Sequence, residues 1–109
     1  MLSIASQKEE LLKIVSEQGY ELADSLEESY SAKRPGRKVF NAMISRIEKG
    51  EAQGLIVWHA NRVSRNSVDT GRVIYLMDQG KLLEVVTPGQ IYRNTPQDKF
   101  LLNLPSVHS

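Results

Sequence analysis

The chain has 109 residues, 40% apolar and 25% charged, with a net charge of +1, which suits one globular domain with a modest core. It has no cysteine, which excludes disulfides, thiolate metal sites and cysteine nucleophiles, and its two histidines, His59 and His108, are too few and too far apart for a metal cluster. No apolar run is long enough to span a bilayer and no signal-peptide layout opens the chain, so a cytoplasmic location without membrane association is expected.

The helical pattern begins at Ser3, with Ile4, Leu11, Leu12 and Val15 on one face and Gly19 closing the helix at a C′ position. Tyr20 to Asp24 reads as a short strand weakened by two acids. Residues 25–36 hold the loop Ser31-Ala32-Lys33-Arg34-Pro35-Gly36, rich in chain breakers and positive charge. A second helix follows, with Phe40, Met43, Ile44 and Ile47 as its apolar stripe and Gly50 near its end. Leu55 to Trp58 is a continuous apolar run behind Gly54, the signature of a buried parallel strand. Asn66 is positioned to cap a third helix, with Asp69 three residues on; Val73, Ile74 and Met77 form its inner face and Gly80 its end. Leu82 to Val86 is another buried strand, stopped by Thr87-Pro88-Gly89. A last short helix starts near Pro96 and is interrupted around Pro105.

Helix, strand, helix, strand, helix, strand, helix predicts an α/β domain with a mainly parallel sheet. There is no internal repeat or low-complexity linker, so residues 1–109 are read as one domain. Such domains usually start on a strand, and a first strand is counted as missing here.

The small net charge conceals an asymmetry. Residues 1–30 carry seven acids against two lysines, net −5, and residues 31–109 carry twelve Lys or Arg against six acids, net +6. A basic remainder suits a polyanionic partner, and equally suits a solvated surface. Ligands of open α/β sheets bind beyond the carboxyl ends of the strands. Two such ends lead into arginines at helix starts: His59-Ala60-Asn61-Arg62-Val63-Ser64-Arg65-Asn66, and Lys33, Arg34, Arg37 and Lys38. Cations at a helix amino terminus oppose its partial positive charge by a few tenths to about 1 kcal/mol. An anion between the clusters resolves that conflict, because helix amides and guanidinium forks both stabilise phosphate oxygens. The bland alternative is that these arginines face water. His59 is more readily a hydrogen-bonded structural residue than a base. No Gly-x-Gly-x-x-Gly, no phosphate loop ending in Gly-Lys-Ser/Thr and no Gly-x-Ser-x-Gly elbow is present, and no cofactor is expected.

Ser31-Ala32-Lys33-Arg34-Pro35-Gly36-Arg37-x-x-Phe40, then Gly54-Leu55-Ile56-Val57-Trp58, then Asn61-Arg62-Val63-Ser64-Arg65-Asn66 resemble the serine site-specific recombinases of the resolvase/invertase family. The upstream Ser3-Ile4-Ala5-Ser6-Gln7 resembles that family's first-helix signature, so the likeness runs from about residue 3 to about residue 102. It implies a resolvase-like three-layer catalytic domain that works on DNA without metal: a serine attacks a phosphodiester, a phosphoserine link forms, and strands exchange within a tetramer. By position it implies catalytic roles for Arg37, Arg62 and Arg65, active-site polar roles for Gln7 and Ser31, and an acidic role for Glu28. Lys33, Arg34 and Lys38 are expected to contact DNA. On the residues alone, Gln7 reads as a solvated helix residue and Ser31 as a turn former.

Three departures from the family pattern shape the expectation. The family's nucleophilic serine lies before the first helix in an Arg-x-Ser context, whereas Met1-Leu2-Ser3 leads directly into the helix. Asn61 stands where an Asp is usual, and an amide supplies no negative charge. The long helix that the family uses for dimerisation and DNA contact is replaced by Leu104-Pro105 and a short end. The chain is therefore read as a partial catalytic domain, truncated at both ends, that lacks the nucleophile and does not cleave DNA by itself. DNA and either further copies or an intact recombinase are the expected partners. The alternative is a non-catalytic module that pairs with an intact recombinase or binds DNA phosphate. A flavodoxin-like or receiver-like domain predicts an acidic metal pocket or a flavin-phosphate loop, and neither is visible.

Overall fold

The computed structural model describes residues 4–25, 38–64 and 66–104. They form α1 (Ile4–Gln18), α2 (Lys38–Glu48), β1 (Gly54–Ile56), a 3-10 turn over Ala60–Arg62, α3 (Ser67–Asp78), β2 (Glu84–Val86), β3 (Ile91–Arg93) and α4 (Pro96–Asn103). Among the described residues no helix is long and apolar enough to cross a membrane.

The sheet runs β1-β2-β3. β1 and β2 pair in parallel, with Leu55 opposite Val85, and α3 makes the crossover that a parallel pair requires. β2 and β3 pair antiparallel, with Val85 opposite Tyr92, so the described sheet is mixed. The expected stop at Thr87-Pro88-Gly89 is a hairpin loop: the Thr87 amide donates to the Gln90 carbonyl at 2.8 Å and the Gln90 amide to Thr87 Oγ1 at 3.0 Å. Its return strand, Ile91–Arg93, is too short for an alternation pattern to reveal.

Strand side chains alternate between faces. Leu55, Val85 and Tyr92 therefore share one face, and there they meet Phe40, Ile44 and Ile47 of α2, Val73, Leu76 and Met77 of α3, and Leu102 of α4. Full burial of each such aliphatic or aromatic side chain contributes about 1.5–3 kcal/mol. The expected stripes of α2 and α3 are thus the core. Leu76 and Thr70 are buried with them, and Ile74 is only half-buried. On the opposite face Glu84 pairs with Arg93 Nε at 3.5 Å, and its carboxylate raises the Tyr20 hydroxyl above its ordinary value, so the chain leaving α1 comes to that side of the sheet.

Two expectations are corrected. Tyr20–Asp24 forms no strand: Glu21 to Ser25 are all exposed, and side chains rather than a backbone ladder tie the segment down. Asp24 binds the Arg46 guanidinium of α2 and accepts from the Ser25 amide at 2.7 Å. Two acids with water on every side gain nothing from a sheet position. The apolar face of α1 is also less buried than its periodicity suggests. Leu11 and Val15 are half-buried, Leu12 is exposed, and no described side chain of the helix is buried.

The helix ends follow their sequence signals. Gly19, Gly50 and Gly80 take positive φ after α1, α2 and α3, as C′ glycines do. After α1 the Tyr20 amide returns to the Val15 carbonyl at 3.0 Å. Thr95 caps α4 through the Asp98 amide, with Pro96 in the first turn.

Candidate functional site

The turn between β1 and α3 carries the basic motif, and its backbone amides are bonded from Asn61 to Ser64. His59 Nδ1 accepts from the Asn61 amide at 3.2 Å, so in this arrangement the ring proton sits on Nε2. The Arg62 amide donates to the His59 carbonyl at 2.9 Å, and the Val63 and Ser64 amides donate to the Ala60 carbonyl at 3.1 and 3.0 Å. Val63 is 1% exposed and plugs the turn into the core. The exposed His59 is therefore a cap, as its bland reading expected.

Ser64 fixes the far end of the turn. Its Oγ donates to the Leu102 carbonyl at 3.0 Å and lies 3.0 Å from Thr70 Oγ1. A carbonyl only accepts, so the single Ser64 proton goes there and the Thr70 hydroxyl donates to Ser64. Asn66 then caps α3: its Oδ1 accepts from the Asp69 amide at 2.8 Å and its Nδ2 donates to Asp69 Oδ2 at 3.2 Å. This is the expected cap, with the Asn side chain rather than its backbone amide meeting the acid.

Asn61 and Arg62 are together on this turn, both half-buried. Gln7 is half-buried on α1, and Lys38 is exposed as the first residue of α2. Arg37, Arg65, Ser31, Glu28, Lys33 and Arg34 lie outside the described residues. Among the described residues no group of three His, Asp or Glu side chains is arranged to hold a metal ion. What the turn offers is a cation on a hydrogen-bonded backbone beside a helix amino terminus, an arrangement that stabilises an anion.

Sequence reasoning missed three residues that shape this region. Ser64 stood in the basic motif without a role of its own and Thr70 was unmarked, because a serine and a threonine six apart meet only once the turn folds back. Arg72, the basic residue of α3, is structural: it donates to Asn41 Oδ1 at 2.5 Å, and its guanidinium sits 5.5 Å from the centre of the Phe40 ring, joining α3 to α2.

A family model described as the resolvase N-terminal domain matches residues 1–108. Among solved structures, the N-terminal catalytic domain of TP901-1 integrase superposes with a TM-score of 0.69 at 20% identity, over 93% of this chain and 79% of that one. At that identity the likeness speaks for the fold. The curated proteins contain no match to the sequence.

Proposed function

Because the chain belongs to the resolvase N-terminal domain family, we propose that residues 1–109 provide the phosphate-neutralising half of a serine-recombinase active site, without its nucleophile. Arg62 with Arg37 and Arg65 offsets charge on the phosphoryl oxygens of DNA, and Gln7, Ser31, Asn61 and Glu28 complete the polar surroundings. Lys33, Arg34 and Lys38 add contacts to the DNA backbone, and no cofactor takes part. The observation that carries this reading is the built turn under Arg62, bonded at every amide from Asn61 to Ser64 and anchored by Val63.

One further point bears on the nucleophile. The serine of Arg62-Val63-Ser64 has its proton committed to the Leu102 carbonyl. The test is incubation of the chain with duplex DNA carrying a suspected crossover site. Salt-sensitive, non-covalent binding is expected, weakened in Arg62→Ala; a covalent protein–DNA adduct on any serine overturns the assignment.

A second reading, a non-cleaving module that pairs with an intact recombinase, is favoured by α4 and the residue that ends it, which expose Phe100, Leu101 and Leu104. Co-purification of a full-length recombinase with this chain supports it. A monomer that ignores the recombinase removes it.

A further inference from the structure

Ser64 is where the basic turn is fastened to the rest of the fold. Its hydroxyl joins three segments: the turn itself, the first helical residues of α3 through Thr70, and the last turn of α4 through the Leu102 carbonyl. That carbonyl is one of the last four in α4, which the helix's own ladder leaves without a donor. Ser64 thus supplies a helix C-terminal bond from a residue 38 positions earlier. Thr70, at 4% exposure, has few alternative partners. Removing the Ser64 hydroxyl therefore leaves the buried Thr70 donor without this acceptor and the Leu102 carbonyl without this donor.

Two residues earlier, the Arg62 backbone is held by its amide to His59 and by the neighbouring Val63 and Ser64 amides to Ala60. The turn is therefore clamped at both ends, by His59 at the start and by Ser64 at the finish, with Val63 as a plug between them. Burial of Val63 fixes how deep the turn sits. The direction in which it leaves toward α3 is set by Ser64.

We infer that Ser64 is a positioning residue for Arg62: it holds the turn in the orientation that presents the guanidinium to a DNA phosphate, without touching the phosphate. This rests on the phosphate-binding reading proposed above. Without the Ser64 hydroxyl the turn keeps its charge and its plug, and loses the constraint that orients the arginine. Binding must then order the turn, a cost that the wild type meets on folding.

The experiment is a double-mutant cycle on the 109-residue chain with Ser64→Ala, Arg62→Ala and the pair. The readout is the affinity for a short fluorescein-labelled duplex at fixed low salt, well below the melting temperature of every variant. Arg62→Ala should weaken binding by roughly tenfold or more, as loss of a charge-assisted contact does. Ser64→Ala should weaken it by about threefold to tenfold, the cost of ordering one more segment. In the Arg62→Ala background the Ser64→Ala loss should nearly vanish, because the hydroxyl acts through that arginine. A general loss of structure would instead lower affinity equally in both backgrounds, and that result overturns the proposal. So does wild-type binding by Ser64→Ala while Arg62→Ala is weakened, which leaves the phosphate reading standing. Wild-type binding by Arg62→Ala removes the phosphate reading itself and this inference with it. If Ser64→Ala does not fold, Thr70→Val replaces it in the cycle, with a smaller loss expected because Ser64 keeps its bond to Leu102.

Discussion

Replacing Asn66 by Ala tests whether the basic turn hands over to α3 through a side-chain cap. The wild-type side chain makes two bonds, Oδ1 from the Asp69 amide at 2.8 Å and Nδ2 to Asp69 Oδ2 at 3.2 Å. Loss of the cap costs about 1 kcal/mol. Loss of the second bond, part-buried at Asp69, adds about 0.5–1 kcal/mol. An unfolding entropy of about 2.1 cal/mol/K per residue gives about 0.23 kcal/mol/K for 109 residues. The expected fall in Tm is therefore about 6–9 °C, read by circular dichroism on heating. Asn66→Ser keeps an acceptor for the Asp69 amide and loses the second bond alone, so it should fall by only about 2–4 °C. Equal losses in the two variants, or an Ala variant melting with the wild type, would refute the assignment of stability to this cap.

Three other outcomes are expected. Met77→Ala, which empties a fully buried position between α3 and the sheet, should cost about 2–5 kcal/mol in denaturant unfolding. The Ser25 amide, followed by the Arg46 guanidinium, holds the Asp24 carboxyl below its ordinary value. A carboxyl depressed in the folded state contributes stability above its unfolded value and loses it as pH falls through the folded one, so the acid limb of a stability–pH curve should flatten in Asp24→Asn. The Tyr20 hydroxyl is raised, first by its bond to Glu84 and then by burial. A raised tyrosine stabilises fully below its unfolded value and loses that contribution as pH rises through the folded one. Tyr20→Phe should therefore be less stable near neutrality and lack the wild-type decline at strongly alkaline pH.

The legible parts of this fold are those where one local signal suffices. Gly19, Gly50 and Gly80 each mark a helix end, Asn66 and Pro96 mark helix starts, and the runs at Leu55 and Val85 mark buried strands. Ile91–Arg93 escaped because three residues carry no period, and its pairing depends on a hairpin loop whose key bonds come from the Thr87 side chain. Tyr20–Asp24 read as a short strand weakened by its two acids; what decides its course is Arg46, 22 residues beyond Asp24. The Asn61-Arg62 turn was legible as a motif. Its fastening was not, since Ser64 meets Leu102 only after the sheet and α4 are in place.

α1 has a consequence for how the expected site responds to a ligand. Gln7 rides on a helix with no buried side chain among those described, whereas Arg62 rides on a turn plugged by Val63. Helices with few buried contacts open locally at a fraction of the global free energy, so amides of α1 should exchange with deuterium well before those of α3. A ligand that engages both Gln7 and Arg62 must select the docked α1 from that equilibrium, and its apparent affinity is scaled by the docked fraction. Slower exchange in α1 on adding DNA would then measure how tightly the loose half of the site is coupled to the rigid half.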